Sequence, residues 1–87
     1  MANWLDRWHQ DHRGRLVASM KFDGFPQAIR FVNLVAHEAE AQRHHPEISI
    51  EYDRVTIGLI THEEGMVTVK DYRLAESITN IYDSITG

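Results

Sequence analysis

"PEISIEYDRVTIGLI", residues 46–60, alternates apolar and polar side chains on both sides of a short polar connection. Ile48, Ile50 and Tyr52 share one face of its first half, and Val55, Ile57 and Leu59 share one face of its second. Side chains that repeat every two residues belong to a half-buried β-strand. "YDRV" is a tight connection, so the two strands form an antiparallel hairpin. Thr56, Gly58, Ile60 and His62 fall on the opposite face of the second strand.

Upstream, "RLVASMKF" (residues 15–22) alternates in the same way, with Leu16, Ala18, Met20 and Phe22 on one side. Asp23-Gly24 turns that strand, and Pro26 suits the first turn of a helix. The longest element follows, from about Pro26 to Arg43, with Ala28, Ile29, Val32, Val35, Ala36 and Ala39 as an apolar stripe. Pro46 disfavours helical geometry at His45 and ends it. Downstream, "HEEGM" is a turn with Gly65 free to take positive φ. "VTV" (residues 67–69) is expected as a short fourth strand. Asp71 is expected to cap a last helix carrying Leu74, Ala75, Ile78, Ile81 and Ile85. At the other end Asn3 caps a short helix bearing Trp4, Leu5 and Trp8, and Gly14 breaks the chain after it. This order predicts an α+β fold: a two-layer sandwich, with a four-stranded antiparallel sheet and helices packed on one face.

The 87 residues are expected to form a single domain over 1–87, near the lower end of what folds unaided. With 43% hydrophobic and 25% charged residues the chain is globular rather than disordered. A formal charge of −4 argues against a nucleic-acid-tracking surface. The absence of cysteine excludes thiolate chemistry and cysteine-bound zinc. No apolar stretch approaches the roughly 20 residues of a membrane span, and "MANWLDRWHQD" is too polar for a signal peptide. The expectation is a soluble cytoplasmic domain without nucleic-acid or membrane partners.

His44, His45 and His62 are the informative residues. The first two end the long helix, the third ends a strand, and Asp71 opens the last helix. Helix ends and strand ends can converge at one rim of a two-layer domain. Imidazoles there could transfer protons near neutral pH, because free histidine titrates near about 6.5. With a carboxylate they could equally bind zinc, and spacing alone does not choose. The plainer readings are solvated helix-end histidines, Asp71 as an N-cap, Glu40 as a surface residue and the tryptophans as core.

Glu40, His44-His45-Pro46, Tyr52, Thr61-His62 and Asp71 ahead of Leu74-Ala75 together resemble the signature of the pterin-4a-carbinolamine dehydratases. Three residues separate Glu40 from His44, five Pro46 from Tyr52, nine Tyr52 from His62, and eight His62 from Asp71. Phe22, Phe25, Ala28, Phe31, Val35-Ala36 and Ala39-Glu40 match the family's aromatic, small and acidic positions as well. Arg43 stands where members often have an acid, and Ile48 where they often have an aromatic. Trp8 is out of register with a tryptophan some members place near the pterin.

The resemblance implies a four-stranded sheet with helices on one side. It also implies loss of water from 4a-hydroxytetrahydropterin to give the quinonoid dihydropterin, with no metal or organic cofactor. The product is reduced back to the tetrahydropterin that aromatic amino acid hydroxylases consume. His44, His45, His62 and Asp71 take the catalytic positions. His44 and His62 would do the acid/base work, and Asp71 would orient an imidazole. His45, Thr61 and Glu40 take the substrate-binding positions. The family forms dimers through its sheet and often tetramers. Some relatives are instead dimerisation cofactors for a transcription factor or assembly factors for a large enzyme, which is the alternative function. A metal-dependent hydrolase using the same side chains is a third reading.

Overall fold

The structure, a computed structural model, describes residues 3–87; Met1 and Ala2, within the expected 1–87 domain, lie outside the described residues. Asn3 caps a 3-10 turn at Trp4–Arg7, accepting the Leu5 N–H at 3.0 Å. The strands are β1 (His9–Gln10), β2 (Leu16–Lys21), β3 (Glu47–Glu51) and β4 (Arg54–Leu59), and the helices are α1 (Phe25–Gln42) and α2 (Val69–Thr86). All strand pairs are antiparallel, in the order β1-β2-β4-β3.

The register explains the sheet's two characters. Leu16 lies opposite Leu59, Ala18 opposite Ile57, Met20 opposite Val55, and Ile48 opposite Ile57. Directly opposed residues share a face, so these apolar side chains form one continuous layer. The other layer is largely polar, with Ser19 and Ser49 each opposite Thr56, and Lys21 and Glu51 each opposite Arg54. The apolar layer meets Ala28, Phe31, Val35 and Ala39 of α1 and Leu74, Ala75 and Ile78 of α2 in a single core. Fully burying a Phe, Leu or Ile there stabilises the fold by about 1.5–3 kcal/mol. The expected hairpin is present: Glu51 pairs with Arg54 across Tyr52-Asp53, and Tyr52 takes a φ of 53°.

Three expectations need correction. Val67–Val69 is not a strand; only an isolated bridge joins Thr61 to Met66, and the fourth strand is His9–Gln10. Asp71 is not the N-cap of the last helix. Thr68 holds that position and Asp71 is the third helical residue, so the chain is already turning helically where a strand was expected. The buried line of α1 runs through Phe31, whereas Ala36 is exposed and Ile29 and Val32 are only half-buried.

Candidate active site

The sequence Thr68-Val69-Lys70-Asp71 forms a capping box: the Thr68 hydroxyl accepts the Lys70 N–H, and Asp71 Oδ2 accepts the Thr68 N–H at 2.8 Å. This folds the Asp71 carboxylate back beneath the start of α2, where it is fully buried. Thr61, at the end of the sheet, donates its hydroxyl to the same oxygen at 2.7 Å. The Thr61 hydrogen being used there, the Thr68 hydroxyl donates to Thr61 Oγ1, also at 2.7 Å.

His44 reaches the carboxylate from α1. Arg43 closes that helix in the left-handed region (φ 54°, ψ 42°), and the His44 N–H bonds back to the Ala39 carbonyl at 3.1 Å. A non-glycine residue in this region costs about 1–2 kcal/mol, so the turn is held by its surroundings. It swings the His44 ring inward, with Nε2 2.5 Å from Asp71 Oδ1. Two donors already occupy Oδ2; where Asp71 is a carboxylate it accepts at Oδ1 as well, and the shared hydrogen is then on Nε2. In that tautomer Nδ1 of His44 carries no hydrogen and can accept one.

His45 goes the other way. Its Nε2 bonds Glu40 Oε2 on the outside of α1, and both side chains are largely exposed. His62 is exposed in the turn at 62–65, one residue beyond Thr61. The structure thus joins His44, Asp71 and Thr61 directly, and sets His45 with Glu40 as a separate pair. Among the described residues, no group of three or more His, Asp or Glu side chains is arranged to hold a metal ion.

A cavity of about 130 Å3 opens beside His44, lined also by Gln42, Lys70 and Arg73. Sequence reasoning passed over these three and Thr68. Thr68 was legible as a capping box, since a threonine stands three residues before an acid. Lys70 and Arg73 read as ordinary helix-surface cations.

Residues 1–81 match the family described as "Pterin 4 alpha carbinolamine dehydratase". The chain belongs to that family. It is 45% identical over 74 residues to a Chloroflexus aggregans protein named "Putative pterin-4-alpha-carbinolamine dehydratase", covering 85% of this chain and 79% of the relative. A Metallosphaera sedula protein of the same name is 39% identical over 77 residues, covering 88% and 79%. A solved structure, described as a "transcriptional coactivator/pterin dehydratase from Brucella Melitensis", superposes with a TM-score of 0.85 at 37% identity, covering 88% of this chain and 83% of that one. A "pterin dehydratase-like protein", described as a "RuBisCO assembly factor in the alpha-carboxysome", has a TM-score of 0.77 at 17% identity over 94% and 96%. At that identity the likeness is one of fold. The four-stranded antiparallel sheet and two helices form an α+β fold that matches the Brucella structure, as the sequence led one to expect.

Proposed function

We propose that this protein is a 4a-hydroxytetrahydrobiopterin (pterin-4a-carbinolamine) dehydratase that works by histidine acid/base catalysis, as one cytoplasmic domain over residues 1–87. The observation that carries the reading is the buried His44–Asp71 pair. A structural scaffold has no need of an inward imidazole held at 2.5 Å by a carboxylate with two further donors. In the reaction one acid protonates the 4a-hydroxyl, which departs as water. One base takes the proton from N5 as the C4a–N5 double bond forms. His44, through Nδ1, and His62, exposed at the neighbouring turn, fill these two roles; solvent exchange restores their starting protonation. His45, with Glu40, positions the pterin and Thr61 fixes Asp71. Positioned acids and bases typically contribute about 100- to 10,000-fold each.

The test is to incubate the purified protein with 4a-hydroxytetrahydropterin, with and without a chelator, and follow the quinonoid product. Turnover unaffected by the chelator, and lost in His62→Ala, is the expected result. Unchanged turnover in both His62→Ala and His44→Ala would sink the assignment. A partner-assembly role is the alternative suggested by the names of the two solved relatives, and it leaves the buried histidine unexplained.

The reading includes a homodimer, with a tetramer of paired dimers as its extension. β3 is one of the two outer strands of the sheet and the longer of them, so its free N–H and C=O groups can pair with a second copy. Light scattering showing a stable mass near the 10.1 kDa of one chain would overturn it.

A further inference from the structure

We propose that Lys70 and Arg73 form an anion subsite beside His44, so that the preferred substrate is a 4a-hydroxytetrahydropterin bearing a phosphate ester or a carboxylate on its side chain. This rests on the dehydratase reading above and moves its preferred substrate from the neutral biopterin to an anionic pterin.

The cavity's size is the first argument. At about 130 Å3 it falls short of the roughly 300–1,000 Å3 of sites that enclose a whole small molecule. It has about ten times the roughly 10–15 Å3 that one water needs. It therefore takes a compact substituent, while the ring system lies outside against the histidines.

Its charge is the second. Two of its four lining residues are cations. Among the described residues neither makes an ion pair, as is also true of Arg13, Arg30, Arg43 and Arg54, so no carboxylate neutralises either cation. The nearest buried acid, Asp71, lies behind His44 with its oxygens committed to His44, Thr61 and Thr68. The N–H groups of Lys70 and Asp71 are bonded to Thr68, so the side chains and not the helix end supply the positive charge. Gln42 donates its amide hydrogens to Glu38 and Ser77 at 2.7 and 3.0 Å, which holds that wall in place. What sets Lys70 and Arg73 apart is that both line one cavity beside the candidate acid/base, with no carboxylate in its lining, which suits an anion.

The experiment compares kcat/KM for three 4a-hydroxytetrahydropterins: one with a neutral dihydroxypropyl side chain, one with a phosphate ester and one with a carboxylate. A charged hydrogen-bonded contact gives the anionic arm an expected preference of roughly tenfold or more. Whichever anion leads identifies the group. The preference should shrink as ionic strength rises. It should collapse in Lys70→Gln/Arg73→Gln and survive in Lys70→Arg/Arg73→Lys. Equal turnover of all three substrates overturns the subsite and leaves the dehydratase reading standing. A preference that survives the double glutamine variant also overturns it. No turnover of any of the three removes the dehydratase reading and the subsite with it.

Discussion

The His44–Asp71 pair leaves 10% and 0% of its side-chain surfaces exposed, while the His45–Glu40 pair leaves 68% and 75%. The two histidines are neighbours in the chain and each bonds one carboxylate, yet one left-handed residue, Arg43, sends them into opposite surroundings. A buried hydrogen-bonded pair is held by low dielectric and by the donors that complete its hydrogen bonding. An exposed one is screened, has water on both partners, and separates at little cost. The inner pair can fix a tautomer, and the outer pair can yield to a ligand.

The largest effect expected from this contrast is at Asp71. Asp71→Ala leaves His44, Thr61 and Thr68 donors without their acceptor and should cost about 3–5 kcal/mol, whereas Glu40→Ala should stay within about 0.5 kcal/mol of zero. Urea unfolding of the two variants measures both. Similar losses would break the comparison. If Asp71→Ala does not fold, Asp71→Asn keeps the shape and one acceptor oxygen. It should lower kcat by about 100- to 10,000-fold, by putting a donor against the His44 ring.

A middle effect belongs to Thr61, whose hydroxyl is one of two donors on Asp71 Oδ2. Thr61→Val removes that bond in a buried site and should cost about 1–3 kcal/mol. Because Asp71 keeps the Thr68 N–H, the variant should still fold and retain measurable dehydration. A loss as large as that of Asp71→Ala would mean the hydroxyl chain, rather than the carboxylate, organises the site.

Legibility in the sequence divides along the same line. The period of two in residues 46–60 and the apolar recurrence in the two long helices are set by burial on one face, and composition records burial directly. β1 escaped because two residues, His9 and Gln10, carry no period and are exposed. Residues 67–69 misled because β-branched valines suit a strand, while Thr68 as a cap overrides that preference. At the site, residue types and spacing pointed to His44 and Asp71, but not to which histidine turns inward. That depends on Arg43 taking a conformation its side chain does not favour. Gly58 is another example. The Arg15 guanidinium lies over it, with Nη1 only 2.9 Å from where a Cβ would sit, and nothing local in sequence signals the contact.

Arg15 belongs to a third side-chain pair, a salt bridge of intermediate burial, which grades the comparison. It bonds Asp11 at 2.9 Å and Glu47 at 2.6 Å, tying the β1–β2 connection to β3 across the polar face. Partial burial raises the Asp11 pKa, but the Arg15 backbone and side chain and the Arg13 N–H lower it by more. The net shift is below the usual 3.8, so the folded state holds the charged form better than the unfolded chain does. Its contribution is therefore complete above that value and lost as pH falls through the folded pKa. Asp11→Asn should lower stability at neutral pH and flatten the decline of stability below about pH 4. Parallel acid profiles for the two proteins would remove Asp11 from the account.

The smallest structural effect and the most specific functional one are expected together at His45. Its partner Glu40 is exposed, so His45→Ala should leave the unfolding free energy within about 0.5 kcal/mol of the parent. If the outer pair opens to meet the pterin, that variant raises KM by roughly tenfold, the worth of one good polar contact, with kcat at saturation little changed. Glu40→Gln should move KM in the same direction, because it loosens the hold on the ring without removing it. A fall confined to kcat, with KM intact, would reverse the roles of the two histidines. It would make the exposed imidazole the proton carrier and the buried one the anchor, and the difference in burial would then describe folding rather than division of labour in catalysis.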